Sequence, residues 1–177
     1  MDLDGTVIVA LGGNMAGDYG SSEALLEAAL ARFAQAGLPV VRRSSWWSSA
    51  AWPDPTVNEY RNGVALVETK LGPLEALHTL FSIEAAFGRV RSEKNAARTL
   101  DLDLIAHGQA VLARQDLTLP HPRAHERLFV MGPLAEIAPD WRHPTLGATA
   151  RELAARATVG LDARPVQADA ARRRPMA

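Results

Sequence analysis

The sequence predicts one α+β domain with a βαββαβ core and further helices toward its C-terminal end, and three observations carry that expectation. Strand-like and helix-like segments follow in the order strand, helix, strand, strand, helix, strand, and two more helical stretches come after them. The length of 177 residues, with 47% hydrophobic, can bury one sizeable core but is short for two domains. No internal repeat breaks the chain into smaller units.

Each element has its own justification. Residues 6–11 are a short β-rich apolar run closed by Gly12-Gly13-Asn14, which reads as a buried strand entering a turn. Ser21 or Ser22 caps a helix over residues 23–36, where Leu25, Leu26, Ala29, Leu30 and Phe33 keep helical spacing until Gly37 and Pro39. Residues 40–47 and 62–69 read as strands joined by a loop over 48–59 that contains Pro53 and Pro55. Pro73 opens a second helix, with Leu74, Leu77, Phe81 and Ile83 leading it to Gly88. A fourth strand spans 99–106, followed by a turn at 107–109 and a short partner at 110–113. Helices are expected near 129–137 and 148–157. The element order is that of a ferredoxin-like core, here a single three-layer domain over residues 1–160. Residues 161–177, with Pro165, Pro175 and Arg172-Arg173-Arg174, read as a disordered tail.

Composition excludes several chemistries. There is no cysteine, hence no disulfide framework, thiolate metal site or cysteine nucleophile. The 19 Lys and Arg nearly balance the 20 Asp and Glu, so no overall field recruits nucleic acid or an anionic membrane, and an anion must be held by local clusters of cations. Asp2 and Asp4 stand where a signal peptide would carry bases, and no apolar run approaches the roughly 20 residues of a membrane-spanning helix. The expectation is a soluble, cytoplasmic monomer acting on small molecules.

The strongest local pattern is Arg98-Thr99-Leu100-Asp101-Leu102-Asp103-Leu104-Ile105. Side chains alternate across a strand, so Asp101 and Asp103 share one face and the leucines the other. Two converging carboxylates repel one another unless cations intervene, and such hard oxygen donors suit magnesium that keeps water and phosphate ligands. Arg89, Arg91, Lys94 and Arg98 crowd the preceding linker, where they can meet phosphate oxygens or simply pair with nearby acids in solvent. Glu84 continues the apolar stripe of its helix through Leu77 and Phe81, so it either meets a ligand, orients Arg89 or Arg91, or reaches water at the stripe's edge. His121, His125 and Arg127 cluster beside Pro120 and Pro122 as potential phosphate donors or as surface residues. Tyr60, Asn62 and Phe129 supply an amide that can read a heterocycle's edge and two rings that can stack on it or pack in the core. Trp46 and Trp47 are adjacent, so on a strand they must point to opposite faces. The Gly12-Gly13 segment matches neither a P-loop nor a Rossmann fingerprint.

Taken together, Val9-Ala10-Leu11-Gly12-Gly13-Asn14, Tyr60-Arg61-Asn62, Gly88-Arg89-Val90-Arg91, residues 94–103 and Leu119-Pro120-His121-Pro122 with Arg127 and Phe129 resemble the 6-hydroxymethyl-7,8-dihydropterin pyrophosphokinases. The likeness extends from about residue 6 to about residue 156. It implies transfer of pyrophosphate from ATP to the pterin in folate biosynthesis, with two Mg2+ ions bridging Asp101 and Asp103 to the triphosphate. By the same resemblance Arg89 and Arg98 hold the phosphates in the transition state, and Glu84, Arg91, Thr118, His121 and Arg127 belong to the nucleotide side. Tyr60 and Phe129 would flank the pterin, with Ser49 and Asn62 reading its edge. The loops at 48–59 and 90–97 would close over the ligands. Two other readings of the residues stand beside this one: a different magnesium-dependent phosphoryl transferase, and a non-catalytic ferredoxin-like ligand-binding module.

Overall fold

The computed structural model describes residues 3–50, 59–88 and 100–166. Its centre is β1 (Val7–Gly13), an apolar strand buried along nearly its whole length because helices cover both faces of the sheet. β1 pairs antiparallel with β4 (Tyr60–Val67) on one side and with β5 (Asp101–His107) on the other. Beyond β4 lie β2 (Val40–Arg43) and β3 (Trp47–Ser49), both antiparallel to it, and β8 (Arg164–Pro165) pairs with β3. The order β5-β1-β4-β3-β8 contains the ferredoxin-like arrangement, with β2 and β3 acting as one interrupted strand. A separate ribbon joins β6 (Leu112–Ala113) to β7 (Thr118–Leu119).

Alternation along the strands builds two cores. Val9, Leu11, Leu102 and Leu104 face Leu25, Leu26 and Leu80 of α1 (Ser22–Ala31) and α2 (Pro73–Ala86). Ile8, Ala10, Val64 and Leu66 face Met131, Leu134 and Leu153 of α3 (Leu128–Ile137) and α4 (Ala150–Arg156). The result is three layers, helices on either side of the sheet. The helix ends are closed locally. The Ser21 hydroxyl accepts from Ala24 N–H at 3.0 Å, Glu75 accepts from Gly72 N–H at 3.2 Å, and Thr149 with Glu152 forms a reciprocal capping box, devices worth about 1 kcal/mol each.

The two tryptophans point to opposite sides of the sheet, Trp46 from the link before β3 and Trp47 from the first residue of β3. Trp46 packs on the α1 side, where a Cβ at Gly63 would stand 2.6 Å from its ring, and its indole N–H donates to Glu27 at 3.0 Å. Trp47 lies over Gly132 of α3, where a Cβ would stand 2.5 Å away, and donates to Glu136 at 3.1 Å.

Several elements differ from the expectation. The first helix ends at Ala31, and residues 32–36 continue as tight turns, with Arg32 N–H donating to Ala29 and Phe33 N–H to Leu30. That tightening, with Gly37 at φ +88°, buries both Phe33 and Leu38. The expected strand over 40–47 is broken at Ser44, whose hydroxyl accepts from Val64 N–H at 2.9 Å and so substitutes for a ladder carbonyl. The turn expected at Gly12-Gly13 is strand instead. Residues 112–113 pair with β7 rather than with the fourth strand. Residues 161–166, expected in a disordered tail, include β8 and the buried Ala163, so the fold continues past residue 160. Residues 167–177 lie outside the described residues.

Candidate active site

The register of the sheet assembles the site. Asp101 of β5 stands opposite Gly12 of β1, Gly12 opposite Asn62 of β4, and Asn62 opposite Trp47 of β3. Directly paired residues share a face, so this row points toward the α3 layer, the side on which Trp47 meets Gly132. Asp103 (opposite Ala10), Tyr60 and Ser49 lie on the same face, at alternate positions from Asp101, Asn62 and Trp47. With strands roughly 4.8 Å apart, Asp101 and Asn62 stand roughly 10 Å apart across the glycine strand.

Gly12 has a specific reason to lack a side chain: a Cβ there would stand 3.0 Å from Asn62 Oδ1. The amide therefore lies across β1 toward the carboxylate strand. Asn62 is buried and donates from Nδ2 to Ser49 Oγ at 3.0 Å, also buried. This bond orients the amide and leaves its oxygen on the Gly12 side. The alternation in β5 is as expected. Leu102 and Leu104 are buried in the α1 and α2 core, whereas Asp101 and Asp103 are half-buried on the opposite face.

Glu84 is 1% exposed and accepts from Leu102 N–H at 2.8 Å. The stripe of α2 that faces the core runs through Ala76, Leu80 and Ile83 to Phe87, with Leu77 packed at its edge, and it places Glu84 inward, against β5. The reading in which it reaches water at the stripe's edge is thereby excluded. Its carboxylate fixes the backbone between the two aspartates.

On the other edge of β5, His121 N–H donates to the Ile105 carbonyl at 2.8 Å. The imidazole Nδ1 accepts from Arg123 N–H at 3.2 Å, which puts the ring proton on Nε2. Burial, followed by the charge of Arg127, pushes the His121 pKa down to about 4, with Asp101 acting in the opposite sense. At neutral pH His121 is thus a neutral Nε2–H donor. Arg127 precedes α3 with its guanidinium 5.7 Å from the Phe129 ring centroid, and Phe129 is half-buried in the first turn of α3. Thr118 is exposed in β7, in the segment leading to His121. His125, grouped with these donors from the sequence, turns its ring edge-on to His143 at 5.6 Å.

Arg89, Arg91, Lys94 and Arg98 lie outside the described residues, as do 51–58 and 90–97 of the two expected closing loops. Among the described residues no group of three His, Asp or Glu side chains could hold a metal ion by itself. The two half-buried carboxylates on one face, Asp101 and Asp103, are a donor set that fits a divalent cation such as Mg2+, which takes few protein ligands and completes its shell with phosphate and water oxygens. Sequence reasoning missed Gly12 as part of this face, since Gly-Gly-Asn reads as a turn until strand pairing is known.

The fold and the paired-acid face define a class: a ferredoxin-like α+β protein whose strand β5, at one end of the sheet, carries two carboxylates between a histidine-arginine turn and an amide-hydroxyl pair. The chain belongs to the 7,8-dihydro-6-hydroxymethylpterin-pyrophosphokinase (HPPK) family, which matches residues 8–139. It is 46% identical over 147 residues to the 2-amino-4-hydroxy-6-hydroxymethyldihydropteridine pyrophosphokinase of Synechocystis sp., covering 82% of this chain and 73% of that protein. The enzyme of the same name from Methylorubrum extorquens is 38% identical over 133 residues, covering 75% of this chain and 82% of the relative. Among solved structures, Plasmodium falciparum HPPK-DHPS with pteroate superposes with a TM-score of 0.67 at 12% identity, covering 85% of this chain. That likeness shows the fold alone, and the match spans 44% of the Plasmodium chain.

Proposed function

We propose that this chain is an ATP-dependent pyrophosphokinase that converts 6-hydroxymethyl-7,8-dihydropterin and ATP to the pterin diphosphate and AMP, a step of folate biosynthesis. The single observation that carries the reading beyond family membership is the row Asp101, Gly12, Asn62, which sets a carboxylate and a heterocycle-reading amide roughly 10 Å apart on one face. A pterin held at Asn62 can then extend its hydroxymethyl arm toward Asp101, while a triphosphate approaches from the His121 and Arg127 side.

The substrate hydroxyl oxygen attacks the β-phosphorus of ATP as its proton passes to Asp101 or to water, the bond from that phosphorus to the α,β-bridging oxygen breaks, and AMP departs with that oxygen. Positioning and charge neutralisation supply most of the rate. Two Mg2+ ions, when bound, would supply Lewis-acid neutralisation of the polyphosphate. Asp101 and Asp103 would hold them, and Asp101, in register with Asn62, lies nearer the attacking hydroxyl. Neutral His121 donates Nε2–H to a phosphate oxygen, and Arg127 adds charge. Arg89 and Arg98 hold the transferring group, and Glu84, Arg91 and Thr118 support the nucleotide side. Ser49 and Asn62 read the pterin's edge while Tyr60 and Phe129 flank its ring. The proposal takes the catalytic unit as a monomer in the cytoplasm, where ATP is available. No helix among the described residues is long and apolar enough to cross a membrane.

The test is a product assay with ATP, the pterin and magnesium, following AMP and the pterin diphosphate together. Matched, metal-dependent formation of both supports the proposal. Release of ADP, or no turnover by folded protein, refutes it.

A further inference from the structure

The segment that follows α4 does more than end the chain. Thr158 and Val159 N–H both donate to the Glu126 carbonyl at 2.9 Å, and Leu128 N–H donates to the Val159 carbonyl at 2.9 Å, so the segment is stitched to the turn that opens α3. Gly160 then lies directly on Phe129, and a Cβ there would overlap the ring. Its φ of +68° is the left-handed conformation that glycine accepts without strain. Two residues on, the Asp162 carboxylate accepts from Ala50 N–H at 2.6 Å. Arg164 and Pro165 pair with Ser48 and Trp47, and Val166 N–H donates to the Trp46 carbonyl at 2.8 Å. Buried Ala163 anchors the middle of the segment.

One short arm thus touches the backing of Phe129 and the residue next to Ser49, two groups that the functional reading assigns to the pterin. It touches none of Asp101, Asp103 or His121 through these bonds, although Val159 bridges to Arg127 at the start of α3. We infer that residues 158–166 form a positioning arm for the pterin half of the site, in which Gly160 sets the Phe129 ring and Asp162 holds the β3 end that carries Ser49. This rests on the pyrophosphokinase reading. The arm has no contact with the reacting atoms, so its residues act through Phe129 and Ser49; loss of Asp162 should fall on pterin affinity and leave nucleotide affinity alone, whereas a change at Gly160 also reaches Arg127 through the Phe129 ring.

The experiment measures equilibrium binding of 6-hydroxymethyl-7,8-dihydropterin in the presence of α,β-methylene-ATP, whose methylene replaces the oxygen at the bond to be broken, and of that nucleotide alone. The full chain is used, with Asp162→Ala, Asp162→Asn and Gly160→Ala. Loss of one hydrogen bond at the surface predicts pterin binding weakened about three- to tenfold in Asp162→Ala, and Asp162→Asn, which keeps an acceptor oxygen, should recover most of it. Gly160→Ala, which must displace the Phe129 ring, should weaken pterin binding about tenfold or more. Nucleotide affinity should stay within about twofold in both Asp162 variants, and in Gly160→Ala should fall less than pterin affinity. Equal weakening of both ligands, or no change in either, overturns the inference. Amide exchange at Ala50 in the ligand-free protein separates the two readings. If the wild-type chain binds nucleotide but no pterin, the functional reading fails and the pterin role of the arm with it. If the wild-type chain binds pterin while Asp162→Ala neither speeds Ala50 exchange nor weakens the pterin, the arm alone is refuted.

Discussion

Glu84 joins the folding of this protein to its site, and replacing it separates the two contributions. The side chain is 1% exposed and accepts from Leu102 N–H at 2.8 Å, and Leu102 is itself buried. Glu84→Ala leaves that N–H without its acceptor where water has no easy access, at a cost of about 1–3 kcal/mol. The lost side-chain volume adds about 1 kcal/mol of cavity cost, so unfolding free energy should fall by about 2–4 kcal/mol. Glu84→Gln keeps an acceptor oxygen of the same reach and exchanges a charge-assisted bond for a neutral one, for a cost of about 1 kcal/mol. Because Leu102 lies between Asp101 and Asp103, a shift of β5 in the alanine variant should also misplace both carboxylates, and a displacement near 1 Å can cost about a hundredfold in turnover. Urea denaturation gives the first quantity and AMP release at saturating substrates the second. If Glu84→Ala lowers the unfolding free energy by less than about 0.5 kcal/mol, or if glutamine and alanine are equally damaging, the hydrogen bond does not organise the strand.

Other outcomes follow from the same geometry. Asp101→Ala and Asp103→Ala should each reduce AMP formation by at least about a thousandfold while circular dichroism and the thermal midpoint stay near wild type, since removing one of two repelling half-buried acids costs the fold little; an unfolded variant would contradict this. Gly12→Ala forces the Asn62 amide to move from a contact of 3.0 Å, so the KM for the pterin should rise about tenfold or more with that for ATP nearly unchanged. His143 is buried, its Nδ1 accepts from Leu146 N–H at 3.2 Å, and burial followed by the nearby His125 lowers its pKa below the usual 6.5. The unfolded chain then binds the extra proton below about pH 6.5, so this contribution to stability is complete above that pH and is lost as pH falls through the acid range. His143→Asn, which keeps an acceptor, should flatten the fall in thermal midpoint between about pH 6.5 and 5, and an unchanged slope would exclude His143 as its source.

The paired acids were legible because strand alternation is local. Once residues 101–107 are a strand, Asp101 and Asp103 share a face whatever surrounds them, and the leucines between them must enter a core. The same rule predicted opposite sides for Trp46 and Trp47. Glu84 was legible only as an anomaly in an apolar stripe; that the stripe centres on Ala76, Leu80 and Ile83, with Leu77 at its edge and Glu84 fully inward, depended on how α2 seats on the sheet. Gly12 read as part of a turn, since glycine pairs mark turns in isolation and only an approaching Asn62 shows why a strand should carry one.

What the sequence determined by itself was therefore the kind and order of elements, the alternation that sets the aspartates together and the family to which their flanking residues belong, all of which depend on neighbours in the chain. Tertiary structure decided which residues meet across it: Asn62 beside Gly12, Glu84 beneath Leu102, and Gly160 and Asp162 against Phe129 and Ala50. Those contacts join segments separated by up to 112 residues, and they form only when burial of two hydrophobic cores fixes the register and packing of the sheet.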